Sequence, residues 1–290
     1  MGLKIQTIKD IRLYLSRELD GTYPEPEIRS ITNIILRNVL EITAMHQAYL
    51  TDTPVNSLQV SKIVTICNEL RTGKPIQYIL GETIFYDCRV KLNSSTLIPR
   101  PETEELVDLI IGENSGYKGN IIDFGTGSGC IAISVASNLP GSFVTGTDIS
   151  GDALIIAAEN AMLNNVKVIF IKDDILSPDI SQFERAGIIV SNPPYVRESE
   201  KQLMNKIVLD FEPHSALFVA DSDPLIYYNG ILMKTVKILE SPGKIYFEIN
   251  EALGKPMVQL LESYGFGDIN VIKDINGKER IIKGIKYEGK

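Results

Sequence analysis

The stretch "NIIDFGTGSGCIAISVASN", residues Asn120 to Asn138, decides how the rest of the chain is read. NIIDF has the length and apolar character of a buried strand, and CIAISVASN reads as a helix. Between them, Gly125, Gly127 and Gly129 occupy alternate positions of one short loop. Glycine lets the backbone turn sharply there and approach a ligand with no Cβ in the way. A strand, a glycine loop and a helix in that order open a doubly wound sheet, whose ligands sit at the carboxyl ends of the strands.

The same alternation continues downstream. SFVTGTDI reads as a strand, DALIIAAENAMLN as a helix, and VKVIFI, GIIVS and GKIYFEI as further strands. An α/β fold with a mostly parallel, doubly wound sheet is therefore expected over residues 98–290. Upstream, Ile8, Ile11, Leu15 and Leu19 form one apolar helical stripe, and GTYPEPE interrupts it. Ile31, Ile34, Ile35 and Leu40 mark a second helix, and NSLQVSKIVTICNEL a third, ending before Gly73. Residues 1–72 are thus expected as a small helical domain. Residues 73–97, rich in β-branched and aromatic side chains with turn formers at Gly81 and Asp87, are expected as a β-hairpin linker. Pro101 suits the start of the next helix, with acidic residues in its first turn.

A glycine loop alone does not name its ligand. A phosphate loop wants Lys after glycine, and none lies between Asp123 and Gly129. The glycine spacing also departs from the dinucleotide pattern. The next strand ends at Asp148, about twenty residues on, where a carboxylate can accept both ribose hydroxyls. The alternative role for Asp148 is to cap the helix beginning near Gly151. The third strand ends in KDDIL, offering Asp173 and Asp174. A glycine loop, an acid and an acid suit an adenosyl ligand without phosphates, and S-adenosylmethionine is the natural candidate.

SNPPY, Ser191 to Tyr195, falls at the end of the fourth strand on the same rim. Proline stops a strand and holds the preceding residue extended, which accounts for Pro193 and Pro194 but not for Asn192 or Tyr195. Methylation of a planar nitrogen accounts for all four. Asn192 Oδ1 accepts one N–H of the target, the Pro193 carbonyl accepts the other, and Tyr195 covers the planar group. The sulfonium leaving group needs no acid.

Composition agrees with such chemistry. Hydrophobic residues at 44% and charged residues at 23% are ordinary for a globular protein. The longest apolar run is too short for a membrane span, and the charged, helical N-terminus is no signal peptide. Three scattered cysteines read as reduced cytosolic thiols. Two histidines are too few for a zinc or iron site, so no metal is expected. The net charge of −8, shared as +1 over residues 1–75 and −9 over the rest, speaks against a nucleic-acid surface.

GKPIQYILGETIFYDCRV, LIPRPETEELV, DFGTGSGCIAISVA, NPPYV and EPHSALFVADSDPL together resemble the release-factor glutamine methyltransferases, the HemK/PrmC family, over almost the whole chain. NPPY alone is shared with adenine methyltransferases; LIPRPETE combined with EP..AL is far more specific. The resemblance implies a Rossmann-like class I methyltransferase sheet and a cytoplasmic, monomeric enzyme. Its substrate would be the Gly-Gly-Gln glutamine of class-one peptide-chain release factors, methylated on N5 with S-adenosylhomocysteine as the second product. Carried over, Gly125, Thr126, Gly127, Ser128 and Gly129 wrap the cofactor, Asp148 holds its ribose, and Asp174 or Ile175 borders adenine. Asn192, Pro193, Pro194 and Tyr195 grip the amide, and Arg100, Pro101 and Glu102 help close the cofactor pocket. Three departures stand out: Glu251 where a glutamine is common slightly further on, Pro224 for the glycine of DGL, and no aromatic after KDD. The alternatives are an adenine-N6 methyltransferase acting on a flipped base, and a non-catalytic cofactor-binding protein of the same fold.

Overall fold

The computed structural model describes residues 4–42, 46 and 50–288; the ends of the expected domains at residues 1–3 and 289–290, and positions 43–45 and 47–49, lie outside it. The chain divides into two compact units, one ending at Gly81 and the other beginning at Glu82.

The first unit is helical. Helix α1 (Ile8–Leu19) starts in a reciprocal cap between Thr7 and Asp10, and its stripe of Ile8, Ile11, Leu15 and Leu19 is fully buried. Helix α2 (Glu25–Leu40) starts inside the segment read as a break, because Pro26 sits in its first turn, where a missing N–H costs nothing. Helix α3 (Ser57–Leu70) is capped by Asn56. Helix α4 (Ile76–Leu80) replaces the strand-like start of the expected linker. Pro75 in an extended conformation opens it and Gly81, at φ 75°, closes it. Those two backbone signals outweigh the β-propensity of IQYIL.

The hairpin itself opens the second unit. Strands β1 (Glu82–Phe85) and β2 (Cys88–Lys91) join through Tyr86 and Asp87, both at positive φ. This mirror-image turn matches strand twist but is costly for tyrosine. Helix α5 (Pro101–Glu113) supports it: the Tyr86 N–H donates to Glu104 at 2.8 Å and its hydroxyl to Asp108 at 2.9 Å.

The main sheet contains β3 (Asn120–Phe124), β4 (Phe143–Asp148), β5 (Val168–Lys172), β6 (Ala186–Ser191), β9 (Leu239–Glu248), β10 (Phe266–Lys273) and β11 (Glu279–Lys286). Its order is β10-β11-β9-β6-β3-β4-β5. The pairs β9–β6, β6–β3, β3–β4 and β4–β5 are parallel, as expected; β11 runs antiparallel to both β9 and β10. Helices α6 (Cys130–Asn138) and α7 (Gly151–Leu163) are the crossovers on one side of β3. Strands β7 (Val196–Arg197) and β8 (Phe218–Val219) form a short parallel pair flanking α8 (Lys206–Phe211), and α9 (Ile226–Ile238) and α10 (Gly254–Ser263) complete the unit.

Every residue of β6 is buried, so a period-two pattern is absent and the strand reads as a plain apolar run. Phe124, Ile189, Tyr228, Leu232, Phe247 and Met257 pack in one core cluster beside it. Each such side chain contributes about 1.5–3 kcal/mol on burial. The chain leaves β3 toward β4 and β5, then returns to place β6 on the other side. The switch point between β3 and β6 therefore opens a crevice at their carboxyl ends.

Candidate active site

Two cavities meet at that crevice. The first, about 290 Å³, is lined by Gly125, Gly127, Asp148, Asp174, Ile175, Asn192, Pro194 and Tyr227, among others. The second, about 280 Å³, is lined by Leu97, Arg100, Asn192, Pro193, Tyr195, Val208, Leu217 and Glu248, among others. Asn192, Leu97 and Ala216 line both.

The glycine loop is shaped by contacts close in sequence. Gly129 caps α6 at φ 80°, and a Cβ there would lie 3.0 Å from Ile133 Cδ1 and 3.1 Å from Ala157 Cβ. The Gly127 N–H donates to Asp148 Oδ2 and the Ser150 N–H to Oδ1, both at 2.9 Å. Ser150, not Asp148, is the N-cap of α7, accepting from the Ala153 N–H at 3.2 Å. Asp148 thus orders the loop and the helix entry at once, while still lining the cavity. Burial raises its pKa, against the pull of those two amides.

Below the loop, Asp123 is fully buried and accepts from the Thr126 hydroxyl at 2.6 Å. Its other oxygen makes no hydrogen bond of full geometry. Burial pushes its pKa up to about 7, against the pull of Thr126 and the Ala132 amide, with Asp148 adding to the rise. Thr126 and Ser128 are buried rather than facing the cavity. The Ser128 carbonyl accepts from Asn160 Nδ2 at 2.9 Å, and Asn160 also bonds both backbone groups of Lys91, tying β2 to the loop.

The two acids of KDDIL both line the first cavity but have different partners. Asp173 is buried and takes Lys234 Nζ on both oxygens, at 2.6 and 2.9 Å. Asp174 lines the cavity, with Oδ1 accepting from the Leu176 N–H at 2.9 Å.

The second cavity rests on long-range contacts. Asn192 Nδ2 donates to Thr103 Oγ1 at 3.2 Å, and the Thr103 hydroxyl donates to Glu248 Oε2 at 2.6 Å. The Tyr195 hydroxyl donates to Glu248 Oε1 at 2.8 Å. Glu248 lies at the end of β9 and is 1% exposed; burial raises its pKa, while Thr103, Tyr195 and Arg280 oppose the rise. Burial, then the Glu248 charge, holds the Tyr195 phenol well above its ordinary pKa, so it stays a donor. Arg100 donates to buried Glu212 at 2.6 Å, whose other oxygen accepts from the Ile98 N–H at 3.2 Å.

Besides Thr126 and Ser128, two more expected placements change. Arg100 lines the second cavity rather than the glycine-loop cavity, because Glu212 draws its guanidinium that way. Pro194 lines the first cavity, while Pro193 lines the second: consecutive residues of an extended segment point to opposite sides. Thr103, Glu248 and Tyr227 escaped sequence reasoning. PETE and EP..AL contain Thr103 and Glu212, yet their spacing carries no sign of the contacts they make.

Comparison with known proteins identifies the family. Residues 103–214 match the family model "Methyltransferase small domain". The chain is 46% identical to the release factor glutamine methyltransferase of Flavobacterium psychrophilum, covering 95% of this chain and 98% of that one. It is 42% identical to that of Bacteroides thetaiotaomicron, covering 94% and 98%, and 38% identical to that of Lactococcus lactis, covering 86% and 91%. Among solved structures, the hMettl16 catalytic domain superposes with a TM-score of 0.51 at 13% identity, over 80% of this chain and 82% of that one. A Pyrococcus furiosus methyltransferase gives 0.50 at 14% identity, over 80% and 100%. At such identities the structures speak for the fold alone, a class I methyltransferase sheet. The near full-length relatives decide the rest: this chain belongs to the release factor glutamine methyltransferase family.

Proposed function

We propose that the chain transfers the methyl group of S-adenosylmethionine to the side-chain nitrogen of the glutamine in a Gly-Gly-Gln motif of class-one peptide-chain release factors. One observation carries the reading. Asn192 forms part of the wall of both cavities, and Thr103 takes its Nδ2, which leaves Oδ1 as the free acceptor. The relatives named above favour a glutamine over a nucleic-acid adenine as the target.

The first cavity suits this cofactor. Asp148 and Asp174 on its wall favour a cationic ligand over a phosphate. Gly125 and Gly127 would border it, Asp148 would take the ribose, and Asp174 and Ile175 would flank the adenine. Bound there, S-adenosylmethionine supplies an electrophilic methyl group on a sulfonium centre.

The chain's own residues then act on the nitrogen. An amide lone pair is delocalised into its carbonyl, so the nitrogen must be held and its developing positive charge stabilised. Asn192 Oδ1 accepts one N–H and the Pro193 carbonyl the other, both fixed before the target arrives. Tyr195, pinned by Glu248, presents its ring as a wall, and Leu97, Val208 and Leu217 exclude water. The methylated nitrogen sheds one proton to water, since a nitrogen-protonated amide is strongly acidic.

Choice of partner is proposed to lie with residues 1–72, because a free glutamine side chain offers little surface. That domain carries almost no net charge, so apolar and shape contacts are expected. The enzyme is proposed to work as a cytoplasmic monomer. The test is incubation with a purified release factor and labelled S-adenosylmethionine, followed by peptide mass mapping. Label on the Gly-Gly-Gln glutamine is expected; label elsewhere, or none, overturns the reading. A truncated chain beginning at Gly73 should still bind cofactor and methylate a short Gly-Gly-Gln peptide slowly, yet lose activity on the intact factor. Equal activity on the intact factor removes the role given to residues 1–72.

A further inference from the structure

Nothing in the amide chemistry by itself says which way round Asn192 must sit. A carboxamide turned by half a rotation presents two donors in place of one acceptor and would meet the target's own N–H groups with N–H groups. The side chain shows its orientation through its neighbours. Thr103 Oγ1 stands between Asn192 Nδ2 at 3.2 Å and Glu248 Oε2 at 2.6 Å. A hydroxyl has one proton to give. A distance of 2.6 Å is typical of a hydroxyl donating to a charged carboxylate, and a carboxylate only accepts. The Thr103 proton is thereby committed to Glu248. Thr103 must then accept from Asn192, which a side-chain oxygen cannot satisfy. Tyr195 takes the other carboxylate oxygen at 2.8 Å, so Glu248 has no reason to rotate.

We propose that Glu248 is a positioning residue that sets the polarity of the site: by fixing the Thr103 proton it turns Asn192 so that Oδ1 faces the target nitrogen. The inference deepens the methyl-transfer reading and rests on it for its catalytic consequence, though not for the orientation itself. Because its two oxygens are occupied by Thr103 and Tyr195, Glu248 acts through them and not on the substrate. In Glu248→Gln one oxygen becomes an NH₂. Where that group faces Thr103, the hydroxyl must accept from it, and its proton turns toward Asn192. The carboxamide then prefers the opposite orientation, with Nδ2 toward the target. Such a pocket should hold a glutamate better, because a carboxylate offers acceptors where glutamine offers N–H.

The experiment uses the full-length chain and three variants: Glu248→Gln, Thr103→Val and Thr103→Ser. The first readout needs no substrate. In ¹⁵N-labelled protein the Asn192 side-chain NH₂ should exchange slowly with water in the wild type and in Thr103→Ser, and rapidly in Glu248→Gln and Thr103→Val. The second is kinetic. Glu248→Gln and Thr103→Val should lower kcat by about 10–100-fold, the usual loss when a partner that orients an active group is removed. Cofactor affinity should stay within about threefold of wild type, and Thr103→Ser should retain most of kcat. The third is selectivity: a Gly-Gly-Glu peptide, tested as an inhibitor, should gain on Gly-Gly-Gln in Glu248→Gln. Unchanged exchange in both Glu248→Gln and Thr103→Val overturns the inference, whatever the substrate proves to be. So does a loss of kcat that Thr103→Ser shares. If Glu248→Gln fails to fold, the Thr103 pair decides. A wild type that shows the protection yet leaves release factors unmethylated refutes the function and leaves the positioning role standing.

Discussion

The two halves of the carboxyl rim are built on different plans. On the glycine-loop side the contacts that shape the loop itself span shorter stretches: Thr126 reaches Asp123 three residues away, and Gly127 reaches Asp148 across 21. On the NPPY side, Asn192 meets Thr103 across 89 residues, Tyr195 meets Glu248 across 53, and Thr103 meets Glu248 across 145. A ligand bound by backbone turns and strand-end acids can be specified by one βαβ stretch. A nitrogen that must be held with one polarity needs side chains brought in from three separate elements. The first side is shaped by geometry that short segments contain; the second by a network that only the assembled sheet provides.

That contrast predicts where each substitution is felt. The largest effect is expected for Asn192→Ala. It should lower kcat by on the order of 10²–10³, as for loss of one oriented group facing developing charge. Cofactor affinity by calorimetry should stay near wild type. Near-normal turnover would mean that the NPPY side does no more than line a cavity.

Asp148→Ala should show the reverse pattern. A cofactor hydrogen-bonded to a carboxylate loses about 1.5–3 kcal/mol per bond. The Gly127 and Ser150 amides would lose their acceptor as well. Calorimetry should therefore show the weaker affinity, while kcat at saturating cofactor falls much less. Equal damage to both parameters would blur the division between the two sides.

Asp123 offers a test by pH. Its pKa is 3.8 without the fold and about 7 within it, chiefly through burial. The folded state binds this proton more tightly, so the stabilisation is full below pH 4 and is lost as pH rises through about 7. Asp123→Asn keeps the shape and removes the titration. Without cofactor, the wild-type Tm should fall relative to Asp123→Asn between pH 5 and pH 8. Parallel Tm curves would show that Asp123 is not the strained group under the loop.

The smallest effect belongs to Arg100, which lines the second cavity while bound to Glu212. Arg100→Gln should raise the KM for release factor by less than about tenfold and change kcat little, since the residue shapes the wall and meets no reacting atom. A loss confined to cofactor binding would return Arg100 to the glycine-loop side.

The sequence by itself determined the class of sheet, its mostly parallel strands, the glycine loop and the NPPY segment. Those features rest on short-range physics. Apolar runs the length of a strand, glycines at positive φ and prolines that end β6 leave marks within a few residues. The tertiary structure alone decided what those segments meet. IQYIL has a strand's composition but is closed into a helix by Pro75 and Gly81. The hairpin is tied to the glycine-loop unit by Asn160 and Asn164, whose amides bond the backbone of Lys91 and Arg89. Of two adjacent acids on the cavity wall, Asp173 is held on both oxygens by Lys234, which arrives from α9, and Asp174 by the Leu176 amide. Glu248 reads in sequence as one more residue at a strand end. It sets the orientation of Asn192 because folding buries its carboxylate between Thr103 and Tyr195, where each hydroxyl has one proton to give and only one direction in which to give it.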